Sequence, residues 1–169
     1  MNSIIENRAF LLLGSNLGNR IMMLDLALVQ ISARIGMILK QSSVYESTPW
    51  GFDDENNFLN KAVQVLTSLS PHEILKEIHF IEELQGRVRA PGPYRSREID
   101  IDILFFNDEI IRDKELVIPH KHLQDRRFVL VPLAEIAGEQ MHPIMKKKVS
   151  ELLRNCDDHA EVVRFTDHV

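Results

Sequence analysis

The stretch Glu98-Ile99-Asp100-Ile101-Asp102-Ile103-Leu104-Phe105-Phe106 constrains the fold more than any other part of the chain. Isoleucine and carboxylate alternate with a period of two, the period at which strand side chains change faces. A strand over Glu98–Phe106 sends Ile99, Ile101 and Ile103 into a core and turns Asp100 and Asp102 together to the opposite face. Residues two apart on one strand face are separated by about 6.5 Å. Like charges at that spacing repel unless a cation or a proton lies between them. Magnesium takes carboxylate and phosphate oxygens together and suits such a pair. A solvated polar strand face produces the same pattern, so the neighbouring residues decide.

Those neighbours are Arg87, Arg89, Arg95 and Arg97, four arginines in the eleven residues from 87 to 97, with no acid among them. Pro91-Gly92-Pro93 makes this stretch a loop, and it leads straight into the carboxylate strand. Guanidinium forks match phosphate oxygens and stay charged. Carboxylates for a metal beside a cationic loop are what a polyphosphate substrate needs. A second cationic segment, Pro119-His120-Lys121-His122 with Arg126-Arg127, suits phosphate contact better than metal binding, because no third ligand stands near the two histidines. Lys146-Lys147-Lys148 reads as a solvated face. Gly14-Ser15-Asn16-Leu17-Gly18 sits between a strand and a helix but lacks the Lys-Ser/Thr of a Walker loop and the spacing of a dinucleotide fingerprint. Trp50, Phe58 and Phe128 lie in or beside polar stretches and together suit a flat heterocycle.

The rest of the chain supplies a frame. Ala9–Leu13 reads as a buried strand. A helix follows from about Gly18, with Ile21, Leu24, Leu28, Ile31 and Ile35 as one apolar stripe, and Gly36 as its stop. Met37–Glu46 reads as a second strand, 47–57 as a loop, and Asn60–Leu66 as a third strand. Ser70-Pro71-His72-Glu73 is a helix start with a capping box and a first-turn proline. Leu75, Ile78 and Ile81 are its buried side and Gly86 its end. Residues 110–169 add turns, short helices and a late strand at Glu161–Phe165. The order strand, helix, strand, strand, helix, strand predicts an α+β fold, an antiparallel ferredoxin-like sheet with two helices on one face and C-terminal additions.

The 169 residues suit a single domain spanning 1–169. The net charge of −5 carries no overall basic footprint for nucleic acid. Cys156 is the only cysteine, so an intramolecular disulfide is impossible, which fits a reducing compartment. The run Ala9–Leu13 is too short for a signal core or a membrane span, and a cytoplasmic protein is expected.

Taken together, Leu13–Gly18, Tyr45–Asn60, Gln85–Arg89, Arg97-x-x-Asp100-Ile101-Asp102-Ile103-Leu104, Pro119-His120 and Arg126-Arg127-Phe128 resemble the 6-hydroxymethyl-7,8-dihydropterin pyrophosphokinases of folate biosynthesis. The resemblance runs from about Ala9 to Ile136. It implies transfer of the whole diphosphate of ATP to the pterin hydroxymethyl group, with release of AMP. It places two magnesium ions on Asp100 and Asp102, and the catalytic-loop arginines at Arg87 and Arg97. It sets Glu82, Arg89, His120 and Arg126 around ATP. The pterin slot falls to the backbone of Ser47, Thr48 and Trp50, with Phe58 and Phe128 above and below the ring and Asn60 at its edge. Tyr94 stands where an aromatic, often Trp, closes over the substrate, and Phe58 replaces a frequent Tyr. The implied partners are ATP and the pterin, acting on a monomer without nucleic acid or membrane. A metal-dependent nucleotidyltransferase and a non-catalytic binding module of the same fold are the alternatives; the first would attach AMP to an acceptor and the second would turn nothing over.

Overall fold

The computed structural model describes residues 6–48, 57–86 and 98–166. Its centre is strand β1 (Asn7–Ser15), in which every residue from Ala9 to Ser15 is buried. On one side β1 pairs antiparallel with β5 (Asp100–Phe106), on the other with β4 (Phe58–Thr67). Strands β2 (Met37–Gln41) and β3 (Tyr45–Ser47) share the far edge of β4, β2 against Val63–Leu66 and β3 against Phe58–Asn60. Strand β8 (Val162–Arg164) adds to β3 and completes a six-stranded sheet. A small ribbon, β6 (Ile111–Arg112) with β7 (Val117–Ile118), lies apart from it.

Helices α1 (Arg20–Arg34) and α2 (Pro71–Leu84) cover one face. Leu24, Ala27 and Ile31 of α1 and Ile74, Ile78 and Ile81 of α2 pack on Ala9, Leu11, Leu13, Leu59, Val63, Val65, Ile99, Ile101 and Ile103. The three isoleucines of the alternating strand are therefore core residues, as the period of two requires. The Asn19 side chain accepts from the Met22 N–H at 3.1 Å and starts α1. At α2 the Ser70 hydroxyl accepts from the Glu73 N–H and the Glu73 carboxylate from the Ser70 N–H, at 3.2 and 2.8 Å, with Pro71 in the first turn.

Two expectations from the sequence are corrected. The single strand expected over Met37–Glu46 is two strands. The Ser42 hydroxyl accepts from the Ala62 N–H at 2.9 Å and donates to the Ser43 carbonyl at 2.7 Å, so a side chain replaces part of the ladder. The Ser43 N–H and hydroxyl then turn to the Glu135 carboxylate, each at 2.8 Å.

The second correction concerns the sheet's other face, which is covered as well. There α3 (Arg127–Ala137) and α4 (Val149–Arg154) bury Val129, Leu130, Leu133, Val149 and Leu152 against Phe10, Leu12, Ala62, Leu104 and Phe105. Pro132 inside α3 disguises that helix in the sequence. A β-bulge in β5 serves this second core. Phe10 faces Phe105 while Leu11 faces Ile103, so Leu104 is the extra residue, and Leu104 and Phe105 both enter the α3 side. Chain covering both faces explains why Ala9–Leu13 is continuously apolar rather than alternating.

Candidate active site

The strand register assembles the site. Gly14 lies opposite Asp100 on one side and Asn60 on the other, and Asn60 lies opposite Tyr45. One residue pair further along, Leu12 lies between Asp102 and Ala62. Side chains at these positions share the α3 face, where Leu12, Ala62 and Leu104 meet the helix. Asp100 and Asp102 thus stand on that face, half-buried, at the end of the sheet where β4 begins. Gly14 has a packing reason: a Cβ there would sit 2.9 Å from Asn60 Oδ1 and 3.6 Å from Phe58 Cδ1. The missing side chain brings the Asn60 carbonyl and the Phe58 ring edge over bare backbone beside Asp100.

The Asn60 amide nitrogen donates to the Ser47 hydroxyl at 2.9 Å, and both residues are buried. With the amide nitrogen on that hydroxyl, its carbonyl oxygen lies over Gly14. Thr48, at the exit of β3, is exposed.

Glu82 of α2 is buried, and its carboxylate accepts the Ile101 N–H at 3.1 Å. The sequence places Glu82 at the nucleotide; the structure shows it fastening the outer edge of β5 between the two aspartates. His120 runs along the same strand, donating its N–H to the Leu104 carbonyl at 3.0 Å. Its Nδ1 accepts the His122 N–H at 3.2 Å, which puts the neutral ring's proton on Nε2. Burial, with the charges of Arg126 and His122, pushes the His120 pKa down to about 4, against a smaller upward pull from Asp100. Arg126 is nearly buried, with its guanidinium 5.8 Å from the centre of the Phe128 ring. Arg126 and Phe128 flank the start of α3, whose Arg127 N–H is capped by the Asp158 carboxylate at 2.9 Å. A neutral imidazole N–H donor beside a buried guanidinium suits an anion and does not suit a metal ion.

The His120 shift has a measurable consequence. A folded pKa of about 4 against 6.5 unfolded means the unfolded chain binds more protons between those values. The stabilisation is fully present above pH 6.5 and is lost as pH falls toward 4. The full shift corresponds to roughly 3 kcal/mol. Urea unfolding across this range is expected to give a flatter stability profile for His120→Asn than for the natural chain. Parallel profiles would contradict a His120 held neutral by partial burial and its charged neighbours.

Among the described residues, no three of His, Cys, Asp and Glu cluster into a self-sufficient metal cage. Two carboxylates on one strand face offer oxygen donors only, and leave other coordination positions to water and to substrate oxygens. That donor set fits magnesium. Arg87, Arg89, Tyr94, Arg97 and Trp50 lie outside the described residues.

Residues 10–138 match the family model described as 7,8-dihydro-6-hydroxymethylpterin-pyrophosphokinase (HPPK). The chain belongs to the HPPK family. Family membership makes it a diphosphate-transferring kinase of folate biosynthesis and disfavours the nucleotidyltransferase and the binding module. The 2-amino-4-hydroxy-6-hydroxymethyldihydropteridine pyrophosphokinase of Aquifex aeolicus is 43% identical over 84% of this chain and 88% of its own length. That of Bacillus subtilis is 42% identical over 80% of this chain and 81% of its own. The folic acid synthesis protein fol1 of Pneumocystis carinii is 39% identical over 94% of this chain, which spans only 21% of that protein. In structure the chain is similar to HPPK-DHPS of Plasmodium falciparum, with a TM-score of 0.75 over 91% of this chain and 44% of that one, at 20% identity. The likeness bears out the α+β architecture expected from the sequence.

The sequence left three structural residues of the site unmarked. Glu135 gathers Ser43 and Tyr45, Asp158 caps α3, and Arg20 ties segments remote in sequence. Each acts on a partner at least 26 positions away, and no local spacing signals such a bond.

Proposed function

We propose that this HPPK chain catalyses attack of the pterin hydroxymethyl oxygen on the β-phosphorus of ATP, releasing AMP, at the end of the α3 face that carries Asp100 and Asp102. The observation that carries the reading is the register setting Asp100, Gly14 and Asn60 in one row, with Phe58 two residues along β4 and its ring edge beside Gly14. A carboxylate site and a slot for a flat ring are thereby side by side. Asp100 and Asp102 would hold two magnesium ions, which neutralise phosphate charge and polarise the reacting oxygens. Asn60 and the backbone at Ser47, Thr48 and Trp50 read the pterin edge, and Phe58 and Phe128 take its two faces. His120, through its Nε2–H, and Arg126 hold phosphate oxygens, with Arg89 and Glu82 on the nucleotide side.

Arg87 and Arg97 supply further positive charge to the phosphates, and Tyr94 closes over the substrate. Transfer of this type depends on positioning and charge neutralisation, so no general base is assigned. The proposed enzyme is a single domain, acting as a cytoplasmic monomer on ATP and the pterin. No described helix is long and apolar enough to cross a membrane.

Incubation with ATP, magnesium and hydroxymethyl dihydropterin tests the reaction. Free AMP and pterin diphosphate are expected in equal amounts, and only when pterin is present. AMP joined to an acceptor, or ADP in place of AMP, would refute it.

A further inference from the structure

Arg20, the first residue of α1, reaches across to both stems of the segment that joins β3 to β4. Its Nη1 lies 2.8 Å from Glu46 Oε2 and 2.9 Å from the Asn57 carbonyl oxygen. Glu46 is the middle residue of β3, and Asn57 immediately precedes β4. The guanidinium also faces the Phe165 ring, 5.7 Å from its centre. Phe165 is held there by β8 and by its own N–H, which donates to the Val44 carbonyl at 2.8 Å. One cation therefore joins four stretches of chain: the start of α1, the last strand before the segment, the first residue after it, and the C-terminal strand.

As an ion pair this contact adds little stability. Both side chains are more than a quarter exposed, and pairs of that kind contribute about 0–1 kcal/mol. Its placement says more than its strength. Glu46 lies opposite Leu59, a residue of the α1-side core, so Arg20 grips from behind the sheet. Ser47, after Glu46, and Phe58 and Asn60, after Asn57, turn to the α3 face. Ser47 and Phe58 pair across the last rung of the β3–β4 ladder, so a tie between Glu46 and Asn57 steadies the end of the ladder that carries the Ser47 backbone and the Phe58 ring.

We propose that Arg20 is a positioning residue for the pterin, steadying the end of the β3–β4 ladder that carries the Ser47 backbone and the Phe58 ring, with Phe165 as its backing. The inference rests on the pterin slot proposed above. It concerns one substrate only, because Arg20's contacts among the described residues are with Glu46, Asn57 and Phe165.

Arg20→Met tests it, with turnover, pterin binding by fluorescence titration, and thermal melting measured on the full chain. The pterin KM and Kd are expected to rise about fivefold, the upper scale of one partly exposed charged contact. The ATP KM and kcat should stay within about twofold, since the nucleotide side is untouched. Arg20→Lys, which keeps the charge but loses the planar guanidinium that faces Phe165, should recover part of the loss. A lowered melting temperature with unchanged pterin Kd would show a merely structural tie and overturn the proposal. Equal rises in both KM values would do the same. Should Arg20→Met fail to fold, Glu46→Gln gives the same reading, and an unchanged pterin Kd in that variant overturns the clamp. If the natural chain itself neither binds pterin nor turns it over, the proposed function has failed and the clamp with it. A natural chain that binds pterin no better than the variant refutes the clamp alone.

Discussion

Asp100→Ala is expected to lower kcat by three or more powers of ten while leaving the fold intact. Each power of ten corresponds to about 1.4 kcal/mol of barrier, so the loss asked of this carboxylate is about 4 kcal/mol. That is the scale of one charged ligand to a metal that neutralises a triphosphate. The fold should tolerate the change, because Asp100 is half-buried at the first position of β5 and lies outside both hydrophobic cores. Its neighbours Ile99 and Ile101 keep their packing against α2, and the Glu82 bond to the Ile101 N–H survives. Steady-state turnover at saturating ATP, magnesium and pterin, with thermal melting as control, makes the check. Near-natural turnover in a folded Asp100→Ala protein would remove the metal assignment. Asp102→Ala should behave alike, since both side chains serve the same face.

The largest stability effect is expected at Gly36, far from the chemistry. Gly36 follows α1 and donates its N–H to the Ile31 carbonyl at 3.1 Å. A methyl group there would sit far inside van der Waals contact with the Leu66 carbonyl oxygen, with the Leu66 carbonyl carbon at 2.9 Å and Thr67 Cα at 3.1 Å. These are backbone atoms of β4, paired with β1 on one side and β2 on the other, so they have nowhere to retreat. The Thr67 hydroxyl also donates to the Ile35 carbonyl at 2.6 Å, pinning the same junction. Gly36→Ala should therefore cost about 3 kcal/mol. For a chain of this length the melting temperature falls by roughly 6–12 °C. Leu66 is at the opposite end of β4 from Asn60, so the folded fraction should keep its pterin and ATP KM values at low temperature. A melting temperature within about 2 °C of the natural chain would contradict the clash.

The site's backbone was legible because its signal is local. A period of two over Ile99–Ile103 places the aspartates on the face away from α1 and α2, and the Ser70–Glu73 box marks the start of α2. Gly36 shows where local reading stops. It ends a helix as expected, but its φ lies outside the left-handed region, and the glycine is needed for close approach to a strand thirty residues later. The break between β2 and β3 turns on the Ser42 side chain meeting Ala62, and alternation in Met37–Glu46 says nothing of it. The C-terminal portion was legible only in part: the strand expected at Glu161–Phe165 is present as β8, but its place beside β3 was not readable. Its α3 carries an internal proline, and its other contributions are a second core layer and the Asp158 cap. These placements depend on distant partners. For the site, the bond between Glu82 and the strand carrying the aspartates joins residues nineteen apart, and no local spacing signals it.

The central claim is that the end of the α3 face bearing Asp100 and Asp102 is where metal and nucleotide meet. A crystal structure with manganese in place of magnesium, a non-hydrolysable ATP analogue and the pterin tests this most directly, because the anomalous signal of the metal locates it without interpretation. The expected result is two metal peaks bonded at about 2.1 Å to carboxylate oxygens of Asp100 and Asp102, with the analogue's phosphates on the same ions. Peaks elsewhere on the chain, with neither aspartate bound, would contradict it.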